Sequence, residues 1–147
     1  MIFDVKIKKI SEKAIIPTYG SPFSAGADLY ACLESPCEIK PGETAFIHTG
    51  LCAELPEGYV GLVFARSGLA CKKDLAPANK VGVIDSDYRG EICVGVINQI
   101  SEAYEIQPFE RVAQMIIKPV ELPELTEVSD LDETSRGAGG FGSTGTK

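Results

Sequence analysis

The sequence predicts an all-β domain, a barrel or sandwich with the jelly roll among its forms, and three features carry that prediction. Between Cys32 and Tyr59, Pro36, Pro41-Gly42, Pro56 and Gly58 separate short runs rich in Ile, Thr, Phe and Leu, the spacing of short strands joined by turns. Helical periodicity is scarce, with one candidate opening at Ser67. The 147 residues make one domain of ordinary size, long enough for a real core and too short for two.

Phe3, Val5 and Ile7 alternate with Asp4, Lys6 and Lys8, so the chain opens with a half-buried strand. Pro17, Gly20 and Pro22 make a loop, and out of it comes AGADLYA (25–31), where Asp28 follows small residues that let the backbone pass close to a neighbour. Alone, Asp28 reads as a turn aspartate. Ser67 is placed to cap a helical turn from Gly68 to Lys73. With Arg66 before it, that N-terminus offers amides and a positive charge to a phosphate. Standing alone, ARSGLA (65–70) is an ordinary capped turn with a surface arginine. Asn79, in a Pro-Ala-Asn loop, is either structural or a partner for a base edge.

The stretch GVIDSDYRGEI (82–92) reads as a tight β-hairpin with a carboxylate buried near its tip. Val83 and Ile84 begin a strand, Asp85 and Asp87 stand two apart and share a face, and Ile92, Val94 and Val96 continue the alternation on the return arm. Without context it is an Asp-rich turn with Tyr88 as packing. Residues 102–106 and 111–120 again alternate as strands, joined at Gln107-Pro108, with Met115, Ile116 and Ile117 as core or subunit contact. Gln114 and Arg111 alone read as a surface pair. Residues 136–145 hold five glycines in RGAGGFGSTG, the composition of a disordered terminus.

Charge and cysteine content narrow the function. The net charge is −7, but residues 121–135 hold six acids and no base, so the rest of the chain carries only −1. A few placed arginines, backbone amides and a divalent cation can still hold a polyphosphate, whereas nothing supports a nucleic-acid footprint. Five cysteines, at 32, 37, 52, 71 and 93, form no C-x-x-C pair, and the odd count fits free thiols in a reducing compartment. The single histidine, His48, has no ligand-like spacing to any of them, so it reads as a strand residue and a zinc site is disfavoured. No apolar run reaches the roughly 18 residues that span a membrane, and the lysine-interrupted start is unlike a signal peptide. The expectation is a soluble, intracellular, cytoplasmic protein.

Taken together, five stretches occur in a fixed order: AGADLYA (25–31), ARSGLA (65–70), GVIDSDYRGEI (82–92), ERVAQMI (110–116) and RGAGGFGSTG (136–145). That order resembles the signature motifs of the trimeric deoxyuridine triphosphatase (dUTPase) family, over nearly the whole chain and with far more specificity than one short pattern. The resemblance implies a distorted jelly-roll-like β-barrel with one short helix and a flexible C-terminal arm, assembled as a homotrimer. It divides the chain into a β-barrel domain (1–120), an acidic linker (121–135) and a nucleotide-binding arm (136–147). It also implies hydrolysis of dUTP to dUMP and diphosphate by water attack on the α-phosphorus, with Mg²⁺ as cofactor.

Roles follow motif by motif from the same resemblance. Asp28 contacts water around a magnesium bound to the triphosphate, a fitting role since Mg²⁺ keeps several waters. Arg66, Ser67 and Gly68 hold the phosphate chain. Asn79 and the main chain of Gly82, Val83, Ile84 and Cys93 read uracil, and a narrow, rigid hairpin excludes the 5-methyl of thymine. Tyr88 lies under the deoxyribose and disfavours a ribose hydroxyl. Asp85 orients the attacking water and the sugar, whereas Asp87 fixes the turn or pairs with an arginine; motif position alone chooses between them. Gln114 stands near the water or phosphates. From the arm, which crosses to a neighbouring subunit, Arg136, Gly142, Ser143 and Thr144 wrap the phosphates and Phe141 stacks on uracil. One departure is Phe109, where the family often has glycine, which changes the turn presenting Arg111.

Rival readings are weaker on the same residues. The related dCTP deaminases share the barrel, but their hairpin lacks this Asp-Ser-Asp-Tyr arrangement. A zinc deaminase needs H-x-E with a later P-C-x-x-C, which is absent. A regulatory protein that keeps the fold without turnover would be expected to lose Asp85, Gln114 or Arg136, and all are present.

Overall fold

A computed structural model describes residues 4–141. Among them, eleven strands and one helix follow in the order β1 (Lys6–Lys9), β2 (Thr18–Tyr19), β3 (Ala27–Tyr30), β4 (Cys37–Ile39), β5 (Thr44–Glu54), β6 (Tyr59–Phe64), α1 (Ser67–Lys73), β7 (Leu75–Pro77), β8 (Gly82–Ile84), β9 (Glu91–Asn98), β10 (Tyr104–Ile106) and β11 (Arg111–Pro119). The all-β expectation with one short helix holds. Phe3, expected in the first strand, lies outside the described residues.

The strands form two open sheets and a ribbon: β1-β5-β9-β7, β2-β3-β11-β6-β8, and β10-β4. Closure into a barrel, expected from the resemblance, is not what these residues show. Alternation explains the layering, because every second residue of β9 (Ile92, Val94, Val96) is buried while Cys93 is exposed. Leu29, Ile47, Val63, Ile84, Val94 and Met115, drawn from both sheets, share one core. A fully buried one of these, such as Leu29 or Ile47, contributes roughly 1.5–3 kcal/mol. The buried Asn98 ties in the ribbon, its Nδ2 donating to Ile39 O at 2.7 Å and Glu102 O at 2.8 Å.

The hairpin expected at residues 82–92 is corrected. Strand β8 pairs with β6, and β9 pairs with β5 and β7, so the stretch crosses from one sheet to the other. Val83 is exposed and Ile84 is buried, as alternation requires, but the inward side of each strand serves a different sheet. Asp85 and Asp87 flank a turn instead of sharing a strand face: Tyr88 N donates to Asp85 O at 3.2 Å, and both carboxylates are exposed. The buried tip carboxylate is thus also corrected. Arg89 braces this turn, its Nη1 donating to the carbonyls of Ser86 and Tyr88 at 2.7 and 3.1 Å.

Residues 121–135 run without regular secondary structure and are exposed throughout. No helix among the described residues is long and apolar enough to cross a membrane.

Candidate active site

Two clefts gather the residues singled out by sequence. The first, of about 410 Å³, is lined by Asn79, Gly82, Val83, Ile84, Asp85, Tyr88 and Cys93 together with Phe46, Val63 and Glu91. Strand β8 is the last strand of its sheet, so its outer edge presents backbone donors and acceptors that no neighbouring strand uses. An edge of this kind is open to further main-chain hydrogen bonding. Close packing fixes its position: a Cβ on Gly82 would stand 3.1 Å from Val63 Cβ and 3.6 Å from Asn79 Nδ2. Asn79 sits in the tight loop before β8, its carbonyl accepting from Val81 N at 2.8 Å. Tyr88 folds back over Gly90, where a Cβ would meet its hydroxyl at 2.3 Å, and that hydroxyl donates to Glu91 O at 3.0 Å.

The second cleft, of about 320 Å³, is lined by Asp28, Arg66, Ser67, Arg111 and Gln114 beside the 20–26 loop. Asp28 is 7% exposed. Its Oδ1 accepts from Arg66 Nε at 2.7 Å and its Oδ2 from Arg111 Nη1 at 3.3 Å. A register shift between Arg111 and Ala113 is what delivers Arg111: two steps along β11 oppose one along β3, so Arg111 stands opposite Tyr30 and on the face of Asp28. The turn before it contains Phe109 at φ +65°, the left-handed region that glycine adopts without strain. The departure noted in the sequence is therefore absorbed in the backbone, and Arg111 still reaches its partner. Glu110 steadies the turn, accepting from Tyr104 Oη at 2.8 Å and from Gln107 N at 2.9 Å. Burial first, then that carboxylate, pushes the Tyr104 hydroxyl up to about 12.

Gln114 donates through Nε2 to Ala65 O at 2.9 Å, and a Cβ at Gly26 would stand only 2.4 Å from Gln114 Oε1. The small residue in AGADLYA thus makes room for this amide. Helix α1 begins at Ser67, with Arg66 in the cap position and no side-chain cap, which corrects the expected Ser67 cap. Arg66 serves both ends of this arrangement: its carbonyl accepts from Leu69 N and Ala70 N, and its guanidinium holds Asp28. Two guanidiniums on one carboxylate leave the cleft with a net positive charge, suited to a phosphate chain.

The clefts share no lining residue and use opposite faces of one sheet. Gln114 stands opposite Asp28 and Phe64 in register, whereas Val63, one residue earlier, is buried and lines the first cleft. Arg136 lines neither cleft: its Nε donates to Gly139 O at 2.8 Å, and Phe141 is fully exposed. Gly142, Ser143 and Thr144 lie outside the described residues.

Sequence spacing missed one cluster. Strand pairing sets His48 opposite Cys93, and His48 Nδ1 donates to Glu91 Oε2 at 2.8 Å. Burial raises the Glu91 carboxyl, but hydrogen bonds from His48 and from Gly50 N outweigh it and leave the group below its usual range. Only a pairing register, absent from linear spacing, brings together residues 45 positions apart.

An edge strand facing one cleft and paired arginines in another suit a hydrogen-bonding ring and a phosphate chain, and comparison with known proteins narrows the class. The dUTPase family model matches residues 12–145, and the chain belongs to that family. It is 56% identical over 131 residues to the deoxyuridine 5'-triphosphate nucleotidohydrolase of Desulfitobacterium hafniense, covering 88% of this chain and 87% of the relative. To the Nautilia profundicola protein of the same name it is 50% identical over 141 residues, covering 96% and 98%. A Staphylococcus bacteriophage 80alpha dUTPase mutant with dUpNHpp superposes with a TM-score of 0.87 at 28% identity, over 97% of this chain and 98% of that one.

Proposed function

We propose that the chain hydrolyses dUTP to dUMP and diphosphate, in a homotrimer whose active sites are shared between subunits. The observation that carries this reading is the division of the family's motifs between two clefts on opposite faces of one sheet. One nucleotide needs both sets, and a second copy of the chain supplies the missing half without reaching through the sheet. Closed threefold symmetry repeats that junction at every subunit.

In the first cleft the outer edge of β8, with Asn79 and the backbone near Cys93, pairs with uracil, and Tyr88 lies along the sugar. Backbone pairing explains how Val83, Ile84 and Cys93 occupy a polar site. Selectivity comes from rigidity, since one methyl in a yielding pocket is worth only about 1–3 kcal/mol. Asp85, exposed at the start of the turn, accepts a proton from the water aimed at the α-phosphorus and orients the sugar. From the second cleft Arg66, Ser67 and Gln114, with Gly68 beside them in the first turn of α1, bind the phosphates and absorb the charge that develops on them.

Mg²⁺ fits this arrangement only in company with the triphosphate. The Asp28 oxygens already accept from two guanidiniums, and a remaining lone pair can accept from a water on an ion that keeps several waters. When bound, the ion would offset phosphate charge. Related to this, a dUTPase mutant from phage phi11 of S. aureus, with a TM-score of 0.80 at 25% identity, is described as coordinating a structural Mg(II) ion.

Residues 1–120 form the catalytic body, 121–135 a linker and 136–147 an arm. On a neighbouring subunit Arg136, Gly142, Ser143 and Thr144 close over the phosphates and Phe141 over the base. Product analysis with Mg²⁺ and, separately, dUTP, dCTP, dTTP and UTP tests the reading. dUMP and diphosphate from dUTP alone are expected; ammonia from dCTP, or tight dUTP binding with no turnover, would overturn it.

A further inference from the structure

Strands β5 and β9 build a cluster of unlike donors at the rim of the first cleft. His48 and Cys93 stand opposite each other, and Glu91 is two residues from Cys93 on the same face of β9. The ligand atoms of the three, Nδ1, a carboxylate oxygen and Sγ, all lie within 4.8 Å of one another. His48 Nδ1 is 2.8 Å from Glu91 Oε2 and 3.6 Å from Cys93 Sγ.

The backbone holds this arrangement in place. Between His48 and Cys52, four steps along β5 oppose the two from Cys93 to Glu91, so β5 bulges there. Gly50, at φ +68°, turns its N–H onto Glu91 Oε1 at 2.8 Å. Buried Thr49 anchors the same bulge, its hydroxyl donating to Ile92 O at 2.6 Å. Glu91 therefore has one oxygen fixed by the main chain and the other aimed at the histidine, the kind of outer support that orients a metal-ligating carboxylate.

We propose that His48 Nδ1, Glu91 Oε2 and Cys93 Sγ form a three-ligand site for a thiophilic divalent ion of the zinc type, with a fourth position open to water. Tetrahedral zinc with bonds of about 2.0–2.3 Å separates its ligand atoms by roughly 3.3–3.7 Å. The His48–Cys93 separation already matches that edge. The His48–Glu91 contact opens by about half an ångström as the ion takes the place of the shared proton. Binding releases the thiol proton, while the imidazole proton moves from Nδ1 to Nε2, leaving thiolate, neutral imidazole and carboxylate on the metal. Nitrogen and sulfur donors favour zinc or cobalt over magnesium, so this site differs in kind from the oxygen-lined surroundings of Asp28. The proposal stands apart from the nucleotide reading, because it is tested by metal binding alone.

The test is titration of the purified, fully reduced protein with Co²⁺, without nucleotide, following the near-ultraviolet thiolate-to-cobalt charge-transfer band. One ion per chain with that band, displaced by Zn²⁺ and untouched by excess Mg²⁺, is expected. Cys93→Ser should abolish the band, His48→Gln should weaken binding by at least about 10-fold, and Cys71→Ser, which changes another exposed thiol, should leave both unchanged. Circular dichroism confirms that each variant is folded, which the exposure of both side chains favours. Absence of the band in the unmodified protein, or its persistence in folded Cys93→Ser, would overturn the site.

Discussion

Asp85 and Asp28 show how two carboxylates of one chain are assigned different work by their surroundings. Asp28 is buried and committed to Arg66 and Arg111, so it organises positive charge. Asp85 is exposed in the first cleft and free to meet a water. Asp85→Asn should therefore bind dUTP with little change and lose about 10²–10⁴-fold in kcat, the usual contribution of a positioned base; single-turnover kinetics with equilibrium binding separates the two, and unchanged kcat would move the base elsewhere. Tyr104 gives a stability prediction. Its hydroxyl is raised from 10 to about 12 in the fold, so the neutral form is favoured there. The associated stability is complete below pH 10 and declines as pH rises toward 12, because only the unfolded chain releases the proton. Denaturant unfolding of Tyr104→Phe across that window should show a shallower alkaline loss; an identical slope would show that Tyr104 is not its source.

At the level of elements, the chain works through irregular positions in otherwise regular strands. The shift at the start of β11 brings Arg111 to Asp28, and the bulge in β5 brings Gly50 to Glu91. The turn from β8 to β9 folds Tyr88 over Gly90, an approach that any Cβ would block. Gly90→Ala should swing that ring out of the cleft, at the cost of its exposed hydrogen bond to Glu91 O. Discrimination between dUTP and UTP should then fall by about 10-fold or more, read as the ratio of kcat/KM values; an unaltered ratio would contradict the sugar-facing role of Tyr88. Such features mark the boundary of what the sequence made legible. Alternation located β9 and β11, and the Gly-Pro punctuation located the turns, since both are local. The pairing of β8 with β6 instead of β9, the position of Arg66 as the cap residue, and the meeting of His48 with Cys93 depend on register between distant segments. No local pattern encodes that register. The carboxylate expected to be buried near the tip of the 82–92 stretch is exposed instead, because the sheet-to-sheet crossing leaves both Asp85 and Asp87 uncovered.

For the whole molecule, the arrangement of sites argues for assembly. The hydrogen bonds of residues 136–141 stay local, Gly137 N donating to Thr134 and Arg136 Nε to Gly139 O, and residues 121–135 are exposed throughout. Truncation before Arg136 should accordingly preserve the thermal unfolding midpoint and lower kcat/KM by about 10²-fold or more, in line with a lid that completes a site; a large drop in the midpoint would make the arm structural. The decisive measurement is subunit complementation. Asp85→Asn, which damages the first cleft, and Arg66→Ala, which damages the second, should each be nearly inactive alone. Co-refolding them in equal amounts should restore about a quarter of full activity, the share of random junctions between one intact first cleft and one intact second cleft in a closed symmetric assembly. Activity no greater than that of the two variants measured separately would contradict the account, placing each active site within a single chain.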